Sequence, residues 1–171
     1  VITGSSGLLG SQYANTLSAA GANVILVDLD STKNKKLEHS LVKKYGTKAC
    51  SYTADISNFE EVKKLARNVL RDFKKIDGLV NNAANNPKVE DGSKVNFSRL
   101  ENFPLDIWYE DIAVGLTGAF LCAKHYGSKI SQNPNGGSIV NIASDLGLIA
   151  PDQRLYRKDN ISEELQNVKP V

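Results

Sequence analysis

The chain opens on Val1-Ile2-Thr3-Gly4-Ser5-Ser6-Gly7-Leu8-Leu9-Gly10, and no other stretch constrains the fold as much. An apolar β-branched pair reads as the end of a strand, glycines recur at every third position, and a segment with helical periodicity begins. Such a turn lets main chain approach an anion closely, because a Cβ at those glycines would hold it off. The helix that follows adds its N–H groups and the positive end of its dipole, the arrangement that seats a pyrophosphate. The spacing is G-x-x-G-x-x-G and not the G-x-G-x-x-G of the usual dinucleotide fingerprint, so the turn alone leaves a purely structural role open.

An ordered alternation follows. Leu9, Tyr13, Leu17 and Ala20 recur at helical spacing and Gly21 supplies a stop, which predicts a helix from Leu8 to Ala20 with those residues inward. Asn23 to Asp28 is a near-continuous apolar run, as in strands buried on both faces of a parallel sheet. Ser31 to Tyr45 reads as a lysine-rich surface helix ended by Gly46, and Ala49 to Thr53 as a third strand. Ser57-Asn58-Phe59-Glu60 reads as a capping box before a helix that carries Val62, Leu65, Ala66, Val69, Leu70 and Phe73. Leu79 to Ala84 supplies a fourth strand with its turn. Ser138 to Ala143 supplies a fifth, after the turn Asn133-Pro134-Asn135-Gly136-Gly137. Between them, Asn85 to Phe103 is a polar stretch long enough to wall a substrate site. Pro104 then opens a long helix whose inward face would be Trp108, Ile112, Leu116, Ala119, Ala123 and Tyr126. That face carries more apolar surface than one domain needs, which predicts a homodimer or homotetramer.

Strands alternating with helices predict a three-layer, doubly wound α/β fold around a mainly parallel sheet, a Rossmann fold. Both ends look cut, since Val1-Ile2 is only the tail of a strand and Lys169-Pro170-Val171 closes nothing. Residues 1–171 therefore read as one incomplete dinucleotide-binding domain, with 145–171 as an insertion on the substrate side. A net charge of +2, with lysines scattered among acids, offers no patch for nucleic acid. No apolar run reaches the roughly 18 residues of a membrane span. Cys50 and Cys122 lack metal-ligand spacing and read as two buried thiols in a reducing cytoplasm, with no metal expected.

Asp28 closes the second strand near the ~20-residue interval after the glycines at which a carboxylate accepts hydrogen bonds from the adenosine ribose hydroxyls. It would repel a 2′-phosphate, and neither Leu29 nor the turn offers a cation, so NAD is favoured over NADP. Lys33, Lys35 and Lys36 keep NADP open, and Asp28 and Asp30 as caps of the next helix remain the plainer alternative.

Thr3 to Gly10, Asp28, Asp55, Asn81-Asn82-Ala83 and Ile139-Val140-Asn141-Ile142-Ala143-Ser144 stand in an order that resembles the short-chain dehydrogenase/reductases. The resemblance implies an NAD(P)-dependent oxidoreductase that moves hydride between nicotinamide and a hydroxyl or carbonyl of a small alcohol, ketone or sugar. It implies cofactor contacts from Gly4, Ser6, Gly7, Leu8, Leu9, Gly10, Asp28, Leu29, Asp55, Ile56, Asn81, Asn82, Ala83 and Ala84, with Asp55-Ile56 at the adenine. Ser144 matches the catalytic serine that hydrogen-bonds the substrate oxygen. Four departures stand out. The glycine spacing matches the family's nucleotide-sugar branch better than its short single-domain branch. Ala84 replaces a glycine of the short branch. Gly115 replaces the helix asparagine that holds a water for proton relay. No Tyr-x-x-x-Lys occurs, because Lys129 follows Tyr126 one residue too early and Asn160 stands where Tyr156 would need a lysine. The tyrosine and lysine are expected just past Val171, after the insertion.

In that insertion Arg154 and Arg157, with Tyr156 and with Asn85 from the earlier loop, are candidate substrate contacts. The arginines would clamp an anion, or else would pair with neighbouring acids in a solvated loop. Asn81 to Pro87, Val114 to Phe120 and Ser144 to Tyr156 also resemble short-chain enzymes near bacterial flagellin modification and surface-sugar synthesis. Two alternatives stay open: a nucleotide-sugar epimerase or dehydratase with tightly bound NAD, and a non-catalytic NAD sensor.

Overall fold

The computed structural model describes residues 1–85, 99–166 and 168. They fall into two compact units, Val1–Ala84 with Ile112–Ile142, and Asn85–Asp111 with Ala143–Val171.

The first unit is built on a five-stranded sheet, β1 (Ile2–Thr3), β2 (Val24–Asp28), β3 (Ala49–Thr53), β4 (Gly78–Asn81) and β5 (Ser138–Asn141). Every pairing is parallel and the order is β3-β2-β1-β4-β5. The chain fills one side of β1 and then crosses to the other, so β1 and β4 flank the switch point where open α/β sheets bind ligands beyond their carboxyl ends. Helices α1 (Leu8–Ala19), α2 (Ser31–Tyr45) and α3 (Phe59–Phe73) join the strands.

Strand alternation explains the layers. Ile25 and Val27 turn to a core shared with Val62, Leu65, Val69, Leu121, Cys122 and Tyr126, whereas Val24 and Leu26 turn to one shared with Ile2, Ala14, Leu41 and Ala49. Each such fully buried aliphatic side chain stabilises the fold by about 1.5–3 kcal/mol.

Several expectations need correction. In α1 the buried stripe is Gly10, Ala14 and Ser18, while Leu9 and Leu17 are exposed and Tyr13 is half-buried. Small residues win because α1 lies so close to the strand–turn junction that a leucine would not fit. Helix α3 is capped by Asn58, whose side chain accepts from the N–H groups of Glu60 and Glu61, and not by Ser57. Glu61, one position beyond the expected partner, reaches back to the N–H of Asp55 at 2.8 Å. Cys122 is buried, but Cys50 is only half-buried; both are free thiols.

The long helical stretch begins with α4 (Leu105–Ile112). It continues through a π-helical segment Ala113–Gly118, α5 (Ala119–Cys122), a second π-helical segment Ala123–Gly127, and α6 (Ser128–Ile130). Its buried residues are Gly118, Leu121, Cys122, Tyr126 and Ile130, whereas Trp108, Ile112 and Leu116 are exposed. Each i→i+5 turn admits an extra residue and rotates the inward stripe away from the 3.6-residue extrapolation. A Cβ at Gly118 would stand 2.8 Å from the Ile56 side chain, which is why the helix can settle there. Among the described residues no helix is long and apolar enough to cross a membrane.

The second unit carries 3₁₀ turns at Leu100–Asn102, Asp145–Gly147, Gln153–Tyr156 and Glu163–Leu165. Gln166, buried, accepts from the N–H of Lys158 and donates to the carbonyls of Lys158 and Ile161, closing the 158–166 loop on itself.

Candidate cofactor site

The first unit brings the glycine turn, the end of β2 and the end of β4 together. Gly4 sits at φ +63°, and a Cβ there would lie 2.9 Å from the Ala83 Cα. A Cβ at Gly10 would lie 2.1 Å from the Gly4 carbonyl oxygen and 2.8 Å from the Ser5 Cα. Gly7, exposed, caps α1 without any side-chain hydrogen bond. Gly4 and Gly10 thus let the end of β4 and helix α1 pack directly on the main chain of the turn, and the first turn of α1 is left without a side-chain cap. That cradle fits a diphosphate. Leu8, Leu9 and Leu29 border the turn and the end of β2 with exposed apolar side chains.

Side chains from β1 and β4 hold the turn. The Thr3 hydroxyl accepts from the N–H groups of Asn82 at 3.0 Å and Ala83 at 3.1 Å. The Asn82 amide donates to the carbonyls of Thr3 at 3.0 Å and Gly4 at 3.1 Å. Asn81 donates to Asn141 Oδ1 at 2.8 Å, tying β4 to β5, and its own buried Oδ1 has no protein partner. Ala84 and Asn85 are exposed.

Asp28 reaches the same place from β2. Its Oδ2 accepts from the Ser6 N–H at 2.8 Å and its Oδ1 from the Asp30 N–H at 3.0 Å. The carboxylate thus faces the turn. Asp30, and not Asp28, is the N-cap of α2, accepting from the Lys33 N–H. Asp55 accepts from both the N–H and the hydroxyl of Ser57, while Ile56 is part of the core and not a surface contact.

Sequence reasoning missed one pair. Ser5 and Asn34 are both fully buried, and the Ser5 hydroxyl donates to Asn34 Oδ1 at 2.7 Å. The signal was a polar residue in the inward stripe Asn34, Leu37, Leu41 of a helix that otherwise reads as surface.

Ser144 belongs to the second unit. Exposed, it caps the Asp145–Gly147 turn, accepting from the Leu146 N–H at 3.2 Å and donating to the Asp145 carboxylate at 3.3 Å. Arg154 pairs with Asp152 at 2.7 Å and Arg157 pairs with Glu163, so the solvated-loop reading describes both arginines better than an anion clamp. Tyr156 is partly exposed at the end of its 3₁₀ turn. Most of the stretch expected to wall a substrate site, 86–98, lies outside the described residues. Tyr126 is fully buried and its hydroxyl has no partner; burial drives its phenol well above the usual tyrosine range. Its phenol therefore stays protonated near neutral pH.

Comparison with known proteins agrees with this geometry. The short chain dehydrogenase family model matches residues 1–155. The 2,5-dichloro-2,5-cyclohexadiene-1,4-diol dehydrogenase of Sphingobium indicum is 32% identical over 149 residues, covering 87% of this chain and 55% of that protein. The crystal structure of an NAD⁺-bound xylitol dehydrogenase superposes with a TM-score of 0.75 at 33% identity, over 88% of this chain and 54% of that one. A metagenomic short-chain oxidoreductase in complex with NADP superposes with a TM-score of 0.72 at 28% identity, over 84% and 61%. This chain spans about half the length of the curated relatives it matches. All three similar proteins are named as dehydrogenases or oxidoreductases, which favours neither an epimerase nor a sensor.

Proposed function

We propose that this chain, which belongs to the short-chain dehydrogenase family, is the nucleotide-binding part of an NAD-dependent oxidoreductase acting on a hydroxyl or carbonyl of a small molecule. The observation that carries the reading is the Asp28 carboxylate hydrogen-bonded to the Ser6 N–H, one residue before Gly7 in the uncapped cradle. Bound there, a nicotinamide cofactor supplies the hydride donor or acceptor. The chain's own residues would hold it: Gly4 and Gly10 let the turn and α1 pack closely, the first turn of α1 behind exposed Gly7 offers N–H groups to the diphosphate, and Asp28 accepts from ribose hydroxyls.

NAD is preferred over NADP because Asp28 would repel a 2′-phosphate and two of the three lysines that could offset it, Lys33 and Lys35, are ion-paired. Lys33 pairs with Asp30 at 3.0 Å and Lys35 with Glu38 at 2.6 Å. A 2′-phosphate would meet Asp28 with those cations engaged elsewhere. Ser144 presents its hydroxyl to the substrate oxygen and positions it. Two free thiols suit a reducing cytoplasm, and exposed Leu116 and Phe120 on the helix support self-association as a dimer or tetramer.

Calorimetric titration with NAD and NADP tests this. The protein should bind NAD more tightly, and Asp28→Asn should narrow or invert the preference. Equal affinities that the substitution leaves unchanged would contradict the assignment of Asp28.

A further inference from the structure

We infer that Asn34 is a positioning residue for the glycine turn, acting on the dinucleotide through Ser5; the inference rests on the cofactor reading above. Asn34 lies in α2, does not face the cradle, and is fully buried. Its amide nitrogen donates to the carbonyls of Leu26 at 3.1 Å in β2 and Tyr52 at 3.2 Å in β3. Carbonyls only accept, so both amide protons are committed and the amide cannot flip. Oδ1 is then left as an acceptor, and the Ser5 hydroxyl at 2.7 Å must be its donor.

That choice has a consequence at the turn. Ser5 is clamped twice, by its hydroxyl on Asn34 and by its N–H on the Val27 carbonyl at 3.2 Å. Ser6 is held by Asp28. Successive turn residues are thus anchored by two different side chains of the β2–α2 corner. Ser5 also sets how near α1 comes, since its Cα would be 2.8 Å from a Cβ at Gly10. Strands β2 and β3 are already paired residue by residue from Val24 to Asp28, so the sheet does not need Asn34 for its register. An apolar side chain of similar volume would fill the space; only the amide fixes Ser5.

The test compares wild type, Asn34→Leu, Ser5→Ala and the double variant by calorimetric titration with ADP and with adenosine, alongside thermal melting. Asn34→Leu should weaken ADP by at least about tenfold, as expected when buried polar partners are orphaned, and adenosine by less than about threefold. The double variant should lose little more ADP affinity than Ser5→Ala alone, because both changes act through one contact. If Asn34→Leu does not fold, Ser5→Ala carries the same comparison of ADP with adenosine. Equal losses for both ligands, or none, in folded variants would overturn the positioning role while leaving the cofactor reading intact. Wild type that binds neither ligand would instead overturn the cofactor reading and this inference with it.

Discussion

Adding one methyl group at either of two glycines should move the protein in opposite directions. A Cβ at Gly10 would lie 2.1 Å from the Gly4 carbonyl oxygen, which is main chain and cannot rotate away. Restoring an ordinary carbon–oxygen contact of about 3.3 Å or more requires α1 and the turn to separate by about 1.2 Å. Overpacking of this kind costs about 1–3 kcal/mol, against a helix-propensity gain of about 1 kcal/mol for replacing glycine with alanine. Gly10→Ala should therefore lose up to about 2 kcal/mol. At roughly 2–4 °C per kcal/mol for a chain of this size, that is a fall of several degrees in melting temperature. NAD affinity should drop about tenfold or more, because the displaced atoms are those of the cradle. At Gly115 a Cβ meets nothing within 4 Å. Gly115→Ala should keep the propensity gain, raising stability by up to about 1 kcal/mol with NAD affinity unchanged. The assays are thermal unfolding and calorimetric titration. A Gly10→Ala protein that melts no lower than wild type and binds NAD as well would refute the reasoning from close approach.

Removing the α3 cap by Asn58→Ala should destabilise by about 1 kcal/mol, measured by urea unfolding, since two N–H groups lose their acceptor. The Arg71 guanidinium and the Tyr52 hydroxyl hold the Asp72 carboxyl down to about 2. An unfolded aspartate titrates near ~3.9, so the folded state binds fewer protons in that window, and stability present above pH ~4 is lost as pH falls through about 2. Asp72→Asn should flatten the acid limb of a stability–pH profile over that range. Burial pushes the Cys122 thiol up to about 12 and also raises that of Cys50, but Cys122 is buried and Cys50 only half-buried. A thiol reagent at pH 8 should label Cys50 first and Cys122 only on unfolding, which mass spectrometry of the native protein would show.

The sheet was legible in the sequence wherever period and punctuation agreed. Val24–Asp28 is a strand buried up to its last residue because an apolar, largely β-branched run there ends at Asp28, and Ala49–Thr53 runs beside it from a buried Ala49 to an exposed Thr53. Gly46 and Gly136 adopt positive φ where the turns required it. Helix faces were less legible. Gly10, Ala14 and Ser18 make the inward stripe of α1 because closeness, not hydrophobicity, selects residues beside the turn. The π-helical segments from Ala113 and Ala123 have no local sequence signature, and they rotated the stripe that Trp108 and Leu116 seemed to define. In the site, Gly4 and Gly10 point to close backbone approach and Asp28 to a charge at the end of β2, whereas Asn82 came only from the resemblance of Asn81-Asn82-Ala83 to a family motif. Asn34 was not legible, because its role depends on a serine far away in sequence and on carbonyls of two strands.

One contact of α2 bears on how this protein behaves at high concentration. Among the described residues strand β3 borders the sheet and pairs with β2 alone. The Glu38 carboxylate accepts from the outward Ser51 N–H at 2.7 Å and from its hydroxyl at 2.5 Å, and Lys35 neutralises it. A half-hidden negative charge thus occupies a donor that a neighbouring molecule's strand would need for annealing.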